Sequence, residues 1–287
     1  MRWTLSERGR LVFCSFLAVA VAWVLAYAPV QAAGLQASAA RAFDSYARLA
    51  EARMDQERRG EAPFLWIDRL PDAERLDAAS RIRQGQVLVS RPPATASGDA
   101  LAFEDARCHH WVGTVFVPAP LRDVVRPMQG YERYPDVYRP AIRRARILSR
   151  EGDHYRVFLQ LFQKRVISVI LNTESAVTYL TISSTRVQVR SVSTRIAEVR
   201  RADSPAEEEL PAGSGQDHGF LWRFNNYCAL DERDSGTFVQ CETISLSRDV
   251  PFGLRWLIEP FVSSVPRESL EFTLGAMARA IAERRQN

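Results

Sequence analysis

His110-Trp111-Val112-Gly113-Thr114-Val115-Phe116-Val117 is β-branched and aromatic, and Pro118 closes it. Such a run reads as a strand. Pro120-Leu121-Arg122-Asp123-Val124-Val125 follows and opens a short helix, because proline suits a first helical turn. Residues 131–139 carry three tyrosines and Pro135, which predicts a second brief helix or a tight turn. A strand feeding two short helices is the start of the pattern that decides the fold.

C-terminal of it the chain turns to β structure. Ile142 to Ser149 and His154 to Gln163 are strand-like and meet at Glu151-Gly152-Asp153, a hairpin signal. Val166 to Leu171 and Thr178 to Val199 continue the pattern, with polar breaks expected at Asn172-Thr173-Glu174 and around Arg190. Residues 202–217 are rich in Pro, Glu, Gly and Ser and read as a mobile loop. Phe220 to Leu230 and Thr237 to Leu246 form a last hairpin. After Pro251 the period becomes helical: Leu254, Leu257, Phe261, Val265, Leu270, Leu274, Met277 and Ile281 fall mostly on one face. Pro260 and Pro266 are expected to kink or break its first half, leaving Glu268 to Arg285 as the firm part. Strands joined by hairpins make an antiparallel meander, and a long amphipathic helix is the cover for one face of it.

Upstream, residues 35–59 carry Phe43, Tyr46, Ala47, Ala50 and Met54 at helical spacing, with Gly60 as a stop. A second helix is expected from Pro71 to Gly85, with Leu76, Ala79 and Ile82 on one face. Gln86 to Ser90 reads as a short strand, and residues 91–100 as a linker. This region, 33–107, holds too few large apolar residues to build its own core, so it reads as an accessory element packed on the main domain, 108–287.

The first residues look like an export segment. Arg2, Arg8 and Arg10 precede an apolar stretch from Leu11 to Ala28, and Ala32-Ala33 resembles a signal-peptidase site. Residues 1–32 are therefore expected to be a signal peptide. The alternative is an uncleaved membrane anchor, since eighteen apolar residues are just enough to span a bilayer. Either reading places the rest of the chain outside the cytoplasm, periplasmic or extracellular.

Composition narrows the function. The chain has 287 residues, 46% hydrophobic and 25% charged, which argues against global disorder. The net charge of +4 is modest, Lys164 is the sole lysine, and no basic block interleaved with aromatics appears, so nucleic acid is not an expected partner. Cys108, Cys228 and Cys241 remain after removal of residues 1–32, without the spacing of a zinc site. There is no Gly-x-Ser-x-Gly and no Gly-x-x-x-x-Gly-Lys, and no cofactor or metal is expected.

The order of elements resembles the START/SRPBCC superfamily, which includes polyketide cyclase-like and coenzyme Q-binding START-type proteins. The likeness covers about residues 108–285. It is carried by His110-Trp111-Val112-Gly113-Thr114-Val115 leading into Pro120-Leu121-Arg122-Asp123-Val124, by Tyr134-Pro135-Asp136-Val137-Tyr138-Arg139-Pro140 ahead of the second strand, and by Ser247-Arg248-Asp249-Val250-Pro251-Phe252-Gly253 before the terminal helix. The resemblance implies an α+β helix-grip fold, a curved antiparallel sheet wrapped around a long C-terminal helix. It also implies a cavity between them for a lipid, isoprenoid, sterol or polyketide-like molecule. Binding or transfer of such a molecule is the leading expectation, with contact to the membrane surface as a further possibility. The rivals are a cyclase or aromatase-type enzyme and an envelope scaffold without ligand.

Strand alternation nominates residues. In the last hairpin one face shows Trp222, Phe224, Asn226 and Cys228, the other Arg223, Asn225, Tyr227 and Ala229. The partner strand divides into Gln240, Glu242 and Ile244 against Cys241, Thr243 and Ser245. With a turn centred on Asp234-Ser235, Cys228 faces Cys241, Tyr227 faces Glu242 and Arg223 faces Leu246. Directly opposed residues come within disulfide range, so a Cys228–Cys241 bridge is one expectation and two buried thiols the other. Arg223, Asn225, Tyr227, Gln240 and Glu242 are candidates to line a ligand cavity, where a buried Arg and Glu would need each other or a ligand's polar head group. In the enzyme reading, Tyr227, Arg223 and Glu242 supply acid/base and positioning groups. The alternative is that this face meets solvent while the Trp222/Phe224 face meets the helix. Tyr134 and Tyr138, which share a helix face with Tyr131, and Trp256 complete the candidate ligand-binding set. His109 and His110 point to opposite faces and are expected at the surface or the strand end.

Overall fold

The computed structural model describes residues 35–92, 101–103, 105–164, 168–249 and 255–286; at 101–103, 255–263 and 285–286 it describes the backbone alone. The export segment, 1–32, and most of the linker at 91–100 lie outside the described residues.

Ten strands of the described residues form one open sheet. They are β1 (Leu88–Ser90), β2 (Leu101–Phe103), β3 (Ala106–Val117), β4 (Ile142–Glu151), β5 (His154–Lys164), β6 (Ser168–Thr181), β7 (Arg186–Arg200), β8 (Glu208–Pro211), β9 (Arg223–Arg233) and β10 (Gly236–Arg248). The spatial order is β1-β3-β10-β9-β7-β6-β5-β4, with β2 added to β3 and β8 to β7. Every pairing is antiparallel. The first and last long strands, β3 and β10, lie side by side, so the meander returns to its start. The α-helices of the described residues are α1 (Ala37–Arg59), α2 (Asp72–Arg83), α3 (Leu121–Gln129), α4 (Tyr134–Val137) and α5 (Arg255–Gln286).

Helix α5 rests on β1, β3 and β10. Its buried face is Leu270, Leu274, Met277 and Ile281, and these join one core with Val115, Val117, Leu230 and Val239. The close approach depends on Gly113, where an added Cβ would stand 2.8 Å from Leu274 and 3.1 Å from Leu270. Helices α3 and α4 touch α5 and carry the same core toward β5 and β6, through Val124, Met128, Tyr131 and Tyr138. Bulges in β4 and between β6 and β7 bend the sheet around this layer. The result is a curved antiparallel sheet gripping a long C-terminal helix, an α+β helix-grip fold.

The opposite face is covered by the N-terminal elements, so the sheet is sandwiched between two helical layers. Ala39, Phe43, Ala47 and Ala50 of α1 pack with Tyr227, Ile244 and Leu246. Phe64, Leu65, Ile67 and Ile82, around a 3-10 turn at Trp66–Arg69 and in α2, pack with Ala229 and Phe238. Region 33–107 also contributes β1 and β2, and thus completes the sheet as well as covering it.

Several local expectations change. Leu76 is 70% exposed, and Ala78 and Ile82 are the buried residues of α2. The polar break at 172–174 is absent: β6 runs through it because Asn172 accepts from Gln160 at 3.0 Å and Thr173 donates to the Leu159 carbonyl at 3.1 Å. The chain turns instead after Thr181. The loop at 202–217 contains β8, held by pairing to β7 and by burial of Leu210. Helix α5 runs unbroken through Pro260 and Pro266, since each proline removes only one backbone donor from a long, tertiary-packed helix.

Candidate functional site

The β9–β10 register decides where the predicted site residues go. Asp234 and Ser235 both have positive φ, 59° and 67°, which matches the two-residue hairpin turn whose twist suits flanking strands. From that turn Cys241 lies opposite Cys228, Glu242 opposite Tyr227, and Leu246 opposite Arg223. Cys228 and Cys241 are bonded to each other on the face beneath α5, while Cys108 is free and buried. Burial pushes the Cys108 thiol up to about 12.

The polar set faces away from α5. Asn225, Tyr227, Gln240 and Glu242 lie under the N-terminal elements and are neither in the grip of the terminal helix nor in solvent. The reason is the alternation itself: Cys228, Leu230, Val239 and Cys241 are the residues that suit the apolar core on the other side. Trp222 also departs from the expected helix-facing role, packing with Phe43 and Ala39. It precedes β9, so strand parity does not govern it.

Beneath α1 the polar side chains form a connected network. Glu242 is 3% exposed and accepts from His110 Nε2 at 2.6 Å and from Arg53. Arg53 also donates to Glu57 at 2.6 Å, and Arg69 reaches the same Glu57 oxygen. Burial acts to raise the Glu242 pKa, but His110 and Arg53 outweigh it and hold the carboxyl below its usual range. On the other side of the His110 ring, Nδ1 lies 2.6 Å from the Tyr46 hydroxyl, so the imidazole links Glu242 to α1. Burial, with Cys108 and Glu242 nearby, pushes Tyr46 well above the ordinary tyrosine value. Tyr227 donates to Glu51 at 2.8 Å and accepts from Asn225 at 2.8 Å, and Gln240 takes the Trp66 backbone N–H at 2.7 Å. His109 and His110 are 4% and 6% exposed, so both are interior residues. A cleft of 150 Å³ runs between α1 and the sheet beside this network, lined by Met54, Leu180, Gln188, Tyr227, Gln240 and Glu242 among others.

On the gripping face the distinctive feature is aromatic. Tyr138, Tyr134, Tyr131, Tyr155 and Tyr179 follow one another with ring centroids 4.8, 4.9, 5.7 and 5.6 Å apart. Tyr134 and Tyr179 both donate to the Met128 carbonyl, at 2.6 and 2.9 Å, and Tyr131 donates to Tyr179 at 2.9 Å. The Tyr155 hydroxyl is buried without a hydrogen-bond partner among the described residues. Burial raises the pKa of Tyr131, Tyr134, Tyr138 and Tyr179 far above neutrality, so these groups stay protonated.

The structure therefore divides the predicted site. Asn225, Tyr227, Gln240 and Glu242 come together on the outer face, Tyr134 and Tyr138 lie on the gripping face, and Arg223 sits apart at the start of β9. The Trp256 side chain lies outside the described residues. Sequence reasoning missed Tyr46, Arg53, Glu57, Arg69 and Tyr155. The i, i+4 spacing of Arg53 and Glu57 was the only local signal for any of them.

No family model matches the chain, and no curated protein matches it. Among solved structures, a START superfamily protein from Mycobacterium smegmatis is similar at 17% identity and a TM-score of 0.42, covering 61% of this chain and 98% of that one. A STAR-related lipid transfer protein from Xanthomonas axonopodis is similar at 17% identity and a TM-score of 0.41, over 64% and 97% of the two chains. The Zhui aromatase/cyclase from Streptomyces sp. R1128 is similar at 16% identity and a TM-score of 0.42, over 63% and 97%. By its own strand order, its paired short helices and its gripped terminal helix, the chain has a START-like fold.

Proposed function

We propose that the chain binds an apolar small molecule bearing one polar group, between the sheet and α5, on the far side of the cytoplasmic membrane. The observation that carries this is the Tyr155 hydroxyl. It lies in a wall of aromatic rings on the gripping face, its residue is 2% exposed, and it has no hydrogen-bond partner among the described residues. Leaving such a group unsatisfied costs about 1–3 kcal/mol, which a ligand's polar group would recover. Apolar burial of the rest of the ligand supplies the affinity, at about 25 cal/mol per Å² before ordering costs. The protonated tyrosines suit hydrogen-bond donation better than proton abstraction near neutral pH, which favours binding over catalysis. The Cys228–Cys241 bridge supports an oxidising compartment and hence export.

Native mass spectrometry and lipid extraction of protein isolated from its own envelope test the reading. An apolar molecule should co-purify, and Tyr155→Phe should lower its retention about tenfold while leaving the empty protein as stable or more so. A second reading, a scaffold filled by its own side chains, is favoured by the direct seating of Leu270 and Leu274 on Gly113. Absence of any co-purifying molecule, with Tyr155→Phe altering stability alone, would establish that reading instead.

A further inference from the structure

At Ser193 the sheet divides. Strand β7 pairs with β9 from Arg186 to Val192, and from Ala197 to Arg200 it pairs with β8 instead. Between these stretches β7 also shifts register against β6, opposite Glu174 and Ser175. A bulge coinciding with a change of partner opens the sheet and re-aims the intervening side chains. The opening is a cleft of 330 Å³ walled by Ser193, Thr194, Arg195, Pro211, Trp222 and Arg223. Trp222 and Ala212 belong to the core beneath α1, so the cleft is separate from the gripping face and independent of the function proposed above.

The chemistry of the wall is one-sided. Two arginines and no carboxylate line it. Arg195 is engaged by Glu209, but Arg223 makes a different use of its donors: Nη1 gives one hydrogen bond, to the Trp222 carbonyl at 3.0 Å, and no carboxylate pairs with it among the described residues. A guanidinium carries five N–H donors in a fixed fork that matches an oxyanion. Ser193 lines the same cleft, its oxygen accepting the Phe224 backbone N–H at 3.0 Å, which leaves its own hydrogen to donate. Trp222, 2% exposed and pinned by Nε1 donating to Asp217 at 2.8 Å, is a rigid apolar wall.

We propose that this cleft is a binding site for an oxyanion group, a phosphate, sulfate or carboxylate, held by the Arg223 fork and the Ser193 hydroxyl. A free anionic metabolite and an anionic lipid head group present the same chemistry, and the experiment separates them. The full chain is titrated calorimetrically with inorganic phosphate against chloride at constant ionic strength. In parallel, its binding to phosphatidylcholine vesicles with and without phosphatidylglycerol is measured by co-sedimentation. Saturable, exothermic phosphate binding that weakens at least about tenfold in Arg223→Gln and is partly restored in Arg223→Lys supports a soluble anion. Binding only to the anionic vesicles, with the same dependence on Arg223, supports a lipid head group. Thermal melts of each variant confirm that the fold is intact, and Ser193→Ala serves as a second, milder variant expected to weaken binding severalfold. The proposal is overturned if neither phosphate nor anionic vesicles bind, or if Arg223→Gln binds either as tightly as the parent chain.

Discussion

Glu242 is a buried carboxylate whose partners, His110 and Arg53, come from a neighbouring strand and from α1. Removing it leaves buried His110 without the acceptor of its Nε2 and strips Arg53 of one of its two carboxylates. Glu242→Ala should therefore lower stability by about 3 kcal/mol, measured by urea unfolding. Its pH dependence has a definite sign. The folded pKa is depressed, so the stabilisation is present above the unfolded value near 4.5 and is lost as pH falls through the folded one. His109 acts in a different window. Burial, with Arg107 and Arg91 nearby, lowers its pKa from 6.5 to about 4, so the unfolded chain takes up a proton that the folded chain refuses. Stability should fall by about 3 kcal/mol as pH drops from 6.5 to 4. Unfolding curves of His109→Gln, compared with the parent over that range, should lose this slope and keep the one below 4.5. Neither histidine was legible as an interior residue, because adjacent positions on a strand always point to opposite faces and only the covering elements decide whether both faces are buried.

At the scale of elements, the seat of α5 on β3 depends on the missing side chain at Gly113. A methyl there would meet Leu274 at 2.8 Å and Leu270 at 3.1 Å, inside normal contact distance. Gly113→Ala should destabilise the protein by about 1–3 kcal/mol, read as a lowered urea midpoint with an unchanged slope. Elements with a clear period were legible from sequence: the ends of α1 and α2, the β4–β5 hairpin and the β9–β10 turn follow local patterns of apolar spacing and turn residues. The errors came where tertiary partners overrode local chemistry. Asn172 and Thr173 look like a break until Gln160 and the Leu159 carbonyl satisfy them within the sheet. Leu210 looks like loop until β7 pairs with the segment that carries it.

For the whole molecule, the Cys228–Cys241 bridge closes a short loop across the two central strands. By the entropy of closing so short a loop, reduction should lower stability by about 3 kcal/mol, checked by thermal melts with and without reductant. Titration of the denatured, unreduced chain should detect Cys108 among the thiols and neither Cys228 nor Cys241. The antiparallel meander and the terminal helix that covers it were legible in the sequence, and the resemblance carried by their order implied the helix-grip arrangement. Alternation likewise sorted Tyr227 and Glu242 from Cys228 and Cys241. What alternation cannot say is which sorted face meets which layer. That was decided only in three dimensions, where α1, drawn from a region far from the hairpin in sequence, covers the polar face and supplies Tyr46, Arg53 and Glu57 to it. Burial of a charge is affordable only beside its partner, and partners brought together across 132 or 189 positions leave no local trace in the chain.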